Sequence, residues 1–297
     1  MKQAMTAVPG SCGELAQGRL NNKDFLISCP INRYSQVRVV LDEDIAGIEA
    51  SGDYSKTIDA VELLLEYFDL KDMGARLYVK SELLRGKGMA SSTADISAAL
   101  AAVFRALNQQ IDHKIISKIA LAIEPTDAIF FPGITYFDHL QGKSFQNLGY
   151  PPPLQIIIFA EPCEISTMEF NNNPRLLNLK DKKEAEIEGA VKLISQGLQD
   201  KNPRLIGQGA TISARAHQII YYRPYLDKLL ALIDGLKDVY GVNIAHSGSL
   251  LGILVDCEAA HQQLINLISN EIEDIYYLDT VKLISGGVNS DEVRAWG

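Results

Sequence analysis

Gly86-Lys87-Gly88-Met89-Ala90-Ser91-Ser92-Thr93-Ala94 has the composition of a phosphate cradle that opens into a helix. Two glycines and a run of small side chains let main-chain N–H groups approach an anion, and a helix N-terminus adds unsatisfied donors and a favourable dipole. It is not the common nucleotide loop, which needs a glycine, four residues and then Gly-Lys-Ser/Thr; Lys87 is followed by Gly88, and no such glycine precedes it. A small-residue turn between a strand and a tightly packed helix has the same letters, so other parts of the chain must decide.

Glu124-Pro125-Thr126-Asp127 is the second cluster, with Pro125 placed to end the preceding helix. A glutamate at the negative end of a helix dipole calls for a cation or a donor. Two carboxylates across such a helix end can divide the work of holding Mg²⁺ and handling the proton of an attacking hydroxyl. An exposed terminus with an Asx turn is the plain alternative. A third cluster, Pro9-Gly10-Ser11-Cys12-Gly13-Glu14-Leu15-Ala16-Gln17-Gly18, presses the backbone close to something with Ser11 and Glu14 aimed at it, or is a bulged hairpin. A fourth, His246-Ser247-Gly248-Ser249-Leu250-Leu251-Gly252, reads as a turn between strands, and the five histidines read as structural.

The elements that must hold these clusters follow from periodicity. Strands are predicted in the glycine-rich N-terminal region and over 34–41, 75–81, 134–138, 154–160, 242–245, 250–256 and 276–284. Helices are predicted over 56–68, 112–124, 182–198, 203–219, 224–240 and 258–272, and after the small-residue loop, where Ile96, Ala99, Leu100, Val103 and Leu107 recur at helical spacing. Tyr150-Pro-Pro-Pro153 divides the chain into a mixed α and β half and a half with the order of a split βαβ sandwich.

At 297 residues, 47% hydrophobic and 22% charged, the chain is an ordinary globular sequence long enough for two domains with a cleft between them. A net charge of -9 without a basic stripe argues against nucleic acid and anionic membrane as partners. The first residues do not form a signal peptide and no apolar run reaches membrane-spanning length, so a cytoplasmic protein is expected. Cys12, Cys29, Cys163 and Cys257 lack a Cys-x-x-Cys pair and are expected to be reduced and mostly buried.

In this order and spacing the four clusters resemble the GHMP small-molecule kinases, named for galactokinase, homoserine kinase, mevalonate kinase and phosphomevalonate kinase, over essentially the whole chain. Gly86 to Ala94 is similar to the family's Gly-Leu-Gly-Ser-Ser-Ala loop, Pro9 to Gly18 to its Pro-Gly and Gly-Glu motif, and Ser247 to Gly252 to its C-terminal glycine-rich motif. Pro9 to Gly18, Gly86 to Asp95 and Glu124 to Asp127 resemble in detail the branch that phosphorylates L-threonine for cobalamin biosynthesis.

The resemblance implies an α+β, two-domain GHMP kinase fold. Residues 1–150 are then a ribosomal-protein-S5-like domain, and 151–297 a ferredoxin-like domain with extra helices. It implies ATP and Mg²⁺ as cofactors, and a monomer or homodimer that phosphorylates the side-chain hydroxyl of L-threonine for the cobalamin nucleotide-loop linker. Alternatives are a kinase for homoserine or another small alcohol, and a catalytically silent nucleotide-binding sensor.

Carried over by residue, ATP phosphates fall to Gly86, Lys87, Gly88, Met89, Ala90, Ser91, Ser92 and Thr93, Mg²⁺ to Ser92 and Glu124, and catalysis to Asp127. Ser11, Glu14, Arg215 and Ser247 are the substrate candidates, with Glu14 for an ammonium and Arg215 for a carboxylate. Many family members carry a lysine or arginine where this chain has Ser11; Lys87 either substitutes for that cation or is simply solvated. Lys87→Met separates these: lost turnover assigns Lys87 to the chemistry, and full turnover leaves it a solvated side chain.

Overall fold

Residues 2–42 form the backbone of the molecule because two long strands here are covered on both faces. The structure, a computed structural model, describes residues 1–162, 176–259 and 261–289. Cys163 lies outside the described residues. Strand β1 (Lys2–Leu20) and strand β2 (Lys23–Asp42) are joined by Asn21-Asn22, whose φ angles of 49° and 62° suit a tight hairpin turn. Short elements follow: β3 (Ile48–Ala50), α1 (Ser55–Tyr67) and β4 (Gly74–Ser81).

Helix α2 (Ser91–Ala106) packs on β1 and β2, and its alanines at 98, 99, 101 and 102 let it be buried nearly all round. Thr6 Oγ1 donates to the Ala98 carbonyl at 2.6 Å and ties this helix to β1. Helix α3 (His113–Ile123) starts at Asp112, whose side chain accepts from the N–H groups of Lys114 and Ile115. Then come β5 (Ile134–Phe137), β6 (Phe145–Gly149) and β7 (Gln155–Ala160).

The second half adds α4 (Leu176–Lys182), α5 (Glu184–Gln199), α6 (Pro203–His217), α7 (Tyr225–Ile233), β8 (Val239–Ile244), β9 (Leu250–Val255), α8 (Gln262–Glu271) and β10 (Tyr276–Lys282). The sheet runs in the order β10-β7-β9-β8-β1-β2-β4-β3, with β5 pairing β2 and β6. Both halves therefore share one sheet, and they meet where β1 pairs β8 at Glu14 opposite Ile244. One apolar cluster extends from Val8 to Leu283, and a second, with Phe159, Leu229 and Ile253, lies under α7 in the C-terminal half.

The N-terminal motif is a bulged part of β1: its register against β2 shifts between Pro9 and Gly10, between Ser11 and Glu14, and between Glu14 and Ala16. The helix predicted over 224–240 stops at Ile233, because Asp234 turns extended and Gly235 takes φ +73°. β3, β6 and α4 carried no clear periodic signal. Cys12 and Cys29 are buried as expected, whereas Cys257 is exposed.

Arg223, 1% exposed, holds the turn between β8 and β9 from beneath. Its Nε donates to Glu161 at 2.8 Å, and its Nη2 to the carbonyls of Ala245 at 2.9 Å and Gly248 at 2.8 Å. The Tyr225 hydroxyl donates to the same Glu161 oxygen at 2.5 Å. Removing one partner of a buried pair leaves the other charge uncompensated, so Arg223→Met is expected to lose about 3–5 kcal/mol in denaturant unfolding. A loss under about 1 kcal/mol would show that the pair is dispensable.

Candidate active site

The loop from Gly86 to Ala90 is shaped by what takes its carbonyls. The N–H of Ser249 donates to the Lys87 carbonyl at 3.0 Å, that of Gly13 to Gly88 at 3.1 Å, and that of Ser11 to Met89 at 3.0 Å. In a trans peptide the N–H points opposite to the C=O, so these three bonds turn the N–H groups of Gly88, Met89 and Ala90 to the other side of the loop. Ala90 itself is left-handed, φ +54°, and α2 begins after it with no side-chain cap. Free donors of the loop and of the first helical turn thus form an anion site.

The close fit needs glycine at two places. At Gly88, φ +97°, a Cβ would lie 2.5 Å from the Ala245 Cβ, and at Gly13, φ +54°, 2.5 Å from the Ala245 nitrogen. Strand β1 and the loop therefore both close on Ala245, β1 on its backbone and the loop on its Cβ.

The acidic loop docks on the first turn of α2. Ser92 Oγ donates to Glu124 Oε1, whose other oxygen receives Lys56 Nζ at 2.5 Å. Thr93 Oγ1 lies 3.0 Å from Thr126 Oγ1 and accepts the Asp127 N–H at 3.3 Å, while Ser28 Oγ donates to Asp127 Oδ1 at 3.1 Å. Glu124 ends α3 with an extended backbone, φ -164°, so it reaches sideways to α2. Ser92 and Glu124 present hard oxygen donors of the kind Mg²⁺ selects. Among the described residues no group of three or more His, Cys, Asp or Glu could enclose a metal, so an ion here would complete its shell with phosphate and water oxygens.

Behind Asp127 lies a buried polar group. Glu14 Oε2 accepts the main-chain N–H of His246 at 2.9 Å and lies 2.9 Å from its Nδ1. Ser213 Oγ lies 3.3 Å from His246 Nε2, and the His217 ring packs edge-on to His246 at 4.5 Å between centroids. Lys183, 2% exposed, donates to the Gln17 carbonyl at 3.0 Å. Burial pushes the Asp127 carboxyl up to about 7, with help from the charges of Glu14 and Glu124 against the Ser28 hydrogen bond. Burial likewise raises Glu14 to about 7 against the His246 N–H and the charges of Arg223 and Lys183. Burial holds His246 well below its usual value, with Lys183 and Arg223 adding to this, so the ring is neutral.

The structure thus brings Gly86–Thr93, Glu124, Asp127 and Glu14 into one neighbourhood. The Ser11 hydroxyl is engaged within β1, donating to the Gly13 carbonyl at 2.5 Å and accepting the Cys29 N–H at 2.9 Å. Met89 is buried and its sulfur accepts the Leu84 N–H. Lys87 is half-buried in the loop, and Ser247 half-buried in the 245–249 turn. Arg215 is exposed on α6 and lines a different groove with Arg204, Thr211 and Tyr240.

Lys56, Lys183 and His246 belong to the neighbourhood without having been singled out as ligands. A groove of about 250 Å³ beside the loop is lined by Tyr54, Lys56, Arg85, Ser92 and Asp95, among others. There the Arg85 guanidinium stacks on Tyr54 at 4.5 Å from the ring centroid. Only the pairing of Lys and Arg with a small-residue loop could have hinted at this groove.

Residues 55–131 match the family described as GHMP kinases N terminal domain. An L-threonine kinase of Citrobacter freundii is 33% identical over 256 residues, 85% of this chain and 86% of that protein. A homoserine kinase from Cytophaga hutchinsonii superposes with a TM-score of 0.70 at 18% identity, covering 97% of each chain. A mevalonate diphosphate decarboxylase from Staphylococcus aureus does so with 0.74 at 16%, again over 97% of each.

A carboxyl whose folded pKa is raised destabilises the fold above its unfolded pKa, because the folded protein must hold a charge it disfavours. Asp127→Asn is therefore expected to raise the ligand-free protein's stability at pH 8 by about 1–3 kcal/mol. The gain shrinks as pH falls from about 7 towards 4, where folded and unfolded chains both carry the proton. Thermal melts at pH 8, 6 and 4 read this; a gain independent of pH would rule out the charge as its cause.

Proposed function

The chain belongs to the GHMP kinase family, and from that premise we propose that it transfers the γ-phosphoryl group of ATP to the side-chain hydroxyl of L-threonine. The observation that carries this reading is the bonding of Ser92 to Glu124 and of Thr93 to the Asp127 N–H, which holds an anion cradle and two carboxylates together. Identity of 33% to an L-threonine kinase over 85% of the chain supports threonine among the acceptors the family uses.

The loop N–H groups and the start of α2 bind the phosphates of ATP, and the groove along Tyr54 and Arg85 suits the rest of the nucleotide. Ser92 and Glu124 would hold Mg²⁺, which when bound neutralises charge on the phosphates. Asp127 accepts a hydrogen bond from the substrate hydroxyl and takes its proton as the phosphoryl group arrives; a carboxyl near pKa 7 is matched to that work at neutral pH. In a loose phosphoryl-transfer transition state the nucleophile keeps its proton until late, so holding the hydroxyl in line matters more than base strength. Ser28 fixes the carboxylate and Thr93 the main chain that carries it.

Resemblance to a homoserine kinase rests on fold alone at 18% identity, and it keeps homoserine as the second acceptor to test. A silent sensor has no need of Ser92, Glu124 and Asp127 in mutual register, and here all three are present and bonded. A product of O-phospho-L-threonine fits the supply of a cobalamin linker; among the described residues no helix is long and apolar enough to cross a membrane.

The test is ADP release with Mg-ATP and L-threonine, homoserine, serine, mevalonate or no acceptor, with mass spectrometry of the product. Threonine-dependent ADP and phosphothreonine are expected, and Asp127→Asn is expected to lower kcat by about 10²–10⁴-fold. Phosphorylation of another acceptor instead removes the threonine reading while keeping the kinase, and ATP binding without any turnover removes both.

A further inference from the structure

Lys183 is a buried ammonium that the protein itself leaves underused. It is 2% exposed, and an ammonium has three donors, yet among the described residues its one hydrogen bond goes to the Gln17 carbonyl at 3.0 Å. No carboxylate among them lies within ion-pair distance. Its neighbour Lys180 is satisfied by contrast, with Asp24 2.6 Å away. Lys183 also sits at the N-cap of the 16-residue α5, which has no side-chain cap, so the positive end of a helix dipole adds to its charge. Burial lowers this amine to about 7, so it holds its full charge at neutral pH only with an anion beside it, the mark of a site awaiting one.

The surroundings say which anion. Lys183 donates to the Gln17 carbonyl, and the Gln17 N–H donates to Ser213 Oγ at 3.3 Å. Ser213 lies 3.3 Å from the His246 ring that contacts Glu14, so the ammonium and Glu14 belong to one buried group; Glu14 in turn acts electrostatically on Asp127. Glu14 commits only Oε2 to His246; its Oε1 receives no hydrogen bond from the described residues. The row is therefore a carboxylate beside the reacting hydroxyl, a second carboxylate with a free oxygen, and a buried ammonium with free donors. An α-amino acid with a hydroxyl on the next carbon offers the complement: hydroxyl to Asp127, ammonium to Glu14, carboxylate to the cation. Both histidines are neutral, Lys180 is paired with Asp24, and Arg223 is paired with Glu161 and bonded to the Ala245 and Gly248 carbonyls, which leaves Lys183 as the cation for the last role.

We propose that Lys183 binds the α-carboxylate of the acceptor and so confines this kinase to amino acids, excluding simple amino alcohols of the same shape. The assignment rests on the kinase reading above and goes beyond it by naming the residue that selects the substrate class. It also gives Arg215, exposed on another face of the molecule, no part in holding the carboxylate.

The experiment compares kcat/KM for L-threonine with that for 1-amino-2-propanol, which keeps the hydroxyl and the ammonium and lacks the carboxylate. The wild-type protein is expected to prefer threonine by about 100-fold or more. Lys183→Met and Lys183→Gln are expected to raise the KM for threonine by about 10- to 100-fold, with kcat and the KM for ATP little changed, so that the preference collapses. A structural role predicts something else: losses of equal size for both acceptors, with the preference intact, and that result overturns the proposal while leaving the threonine reading standing.

Should both variants fail to fold, the wild-type protein still decides. L-Threoninamide, whose carboxylate charge is gone, must be a far poorer acceptor than L-threonine; equal use of the two overturns the proposal. A wild-type protein that phosphorylates no hydroxy amino acid at all removes the threonine reading and the assignment of Lys183 with it, an outcome distinct from a kinase indifferent to Lys183.

Discussion

Three main-chain hydrogen bonds onto the carbonyls of Lys87, Gly88 and Met89 set the chemistry of this protein. Each engages a carbonyl that would otherwise repel phosphate, and peptide planarity then commits the opposite N–H groups to the anion side. Two bonds come from β1 and the third from the turn after β8, so the loop is held from both halves of the sheet. That turn is held in its own right by Arg223, whose guanidinium is fixed by Glu161. The glycines at 13 and 88 matter because contacts of 2.5 Å between an added Cβ and Ala245 leave no room for another residue.

Around this clamp the charges are arranged against stability. Glu14 and Asp127 are two buried carboxyls raised by burial, Asp127 also by the charge of Glu14, while Lys183 is lowered to about 7, by burial first and by Lys180 second. A fold selected for stability alone would place apolar groups here. These opposing pressures meet in one buried group, where histidines 217 and 246 are held neutral and add no further charge.

The motifs made of local chemistry were legible in the sequence. A small-residue loop before an apolar helix, and a Glu-Pro-Thr-Asp at a helix end, declare themselves because their conformations depend on neighbours a few residues away. Most helices and the C-terminal strands were legible for the same reason. The lengths of β1 and β2 were not, since strands covered on both faces lose the alternation that marks them. Lys183 escaped notice, and His246 was read only as a structural histidine, because their partners lie 166 and 232 residues away. Arg215 drew attention as a cation near the right segment, but the 3.6-residue period turns it to solvent while Ser213 and His217 face inward.

The place of β1 in the sheet has a consequence for how the protein comes into being. Its partners lie across most of the sequence: it pairs with β8 at Glu14 and Ile244, and Ala7 exchanges both main-chain hydrogen bonds with Asn289. Contacts of such long sequence separation form late and slow the search for the native topology. A nascent chain that has not yet reached the 245–249 turn carries every letter of the phosphate loop and lacks a third of its clamp. Full assembly of the loop is thereby tied to completion of the C-terminal half.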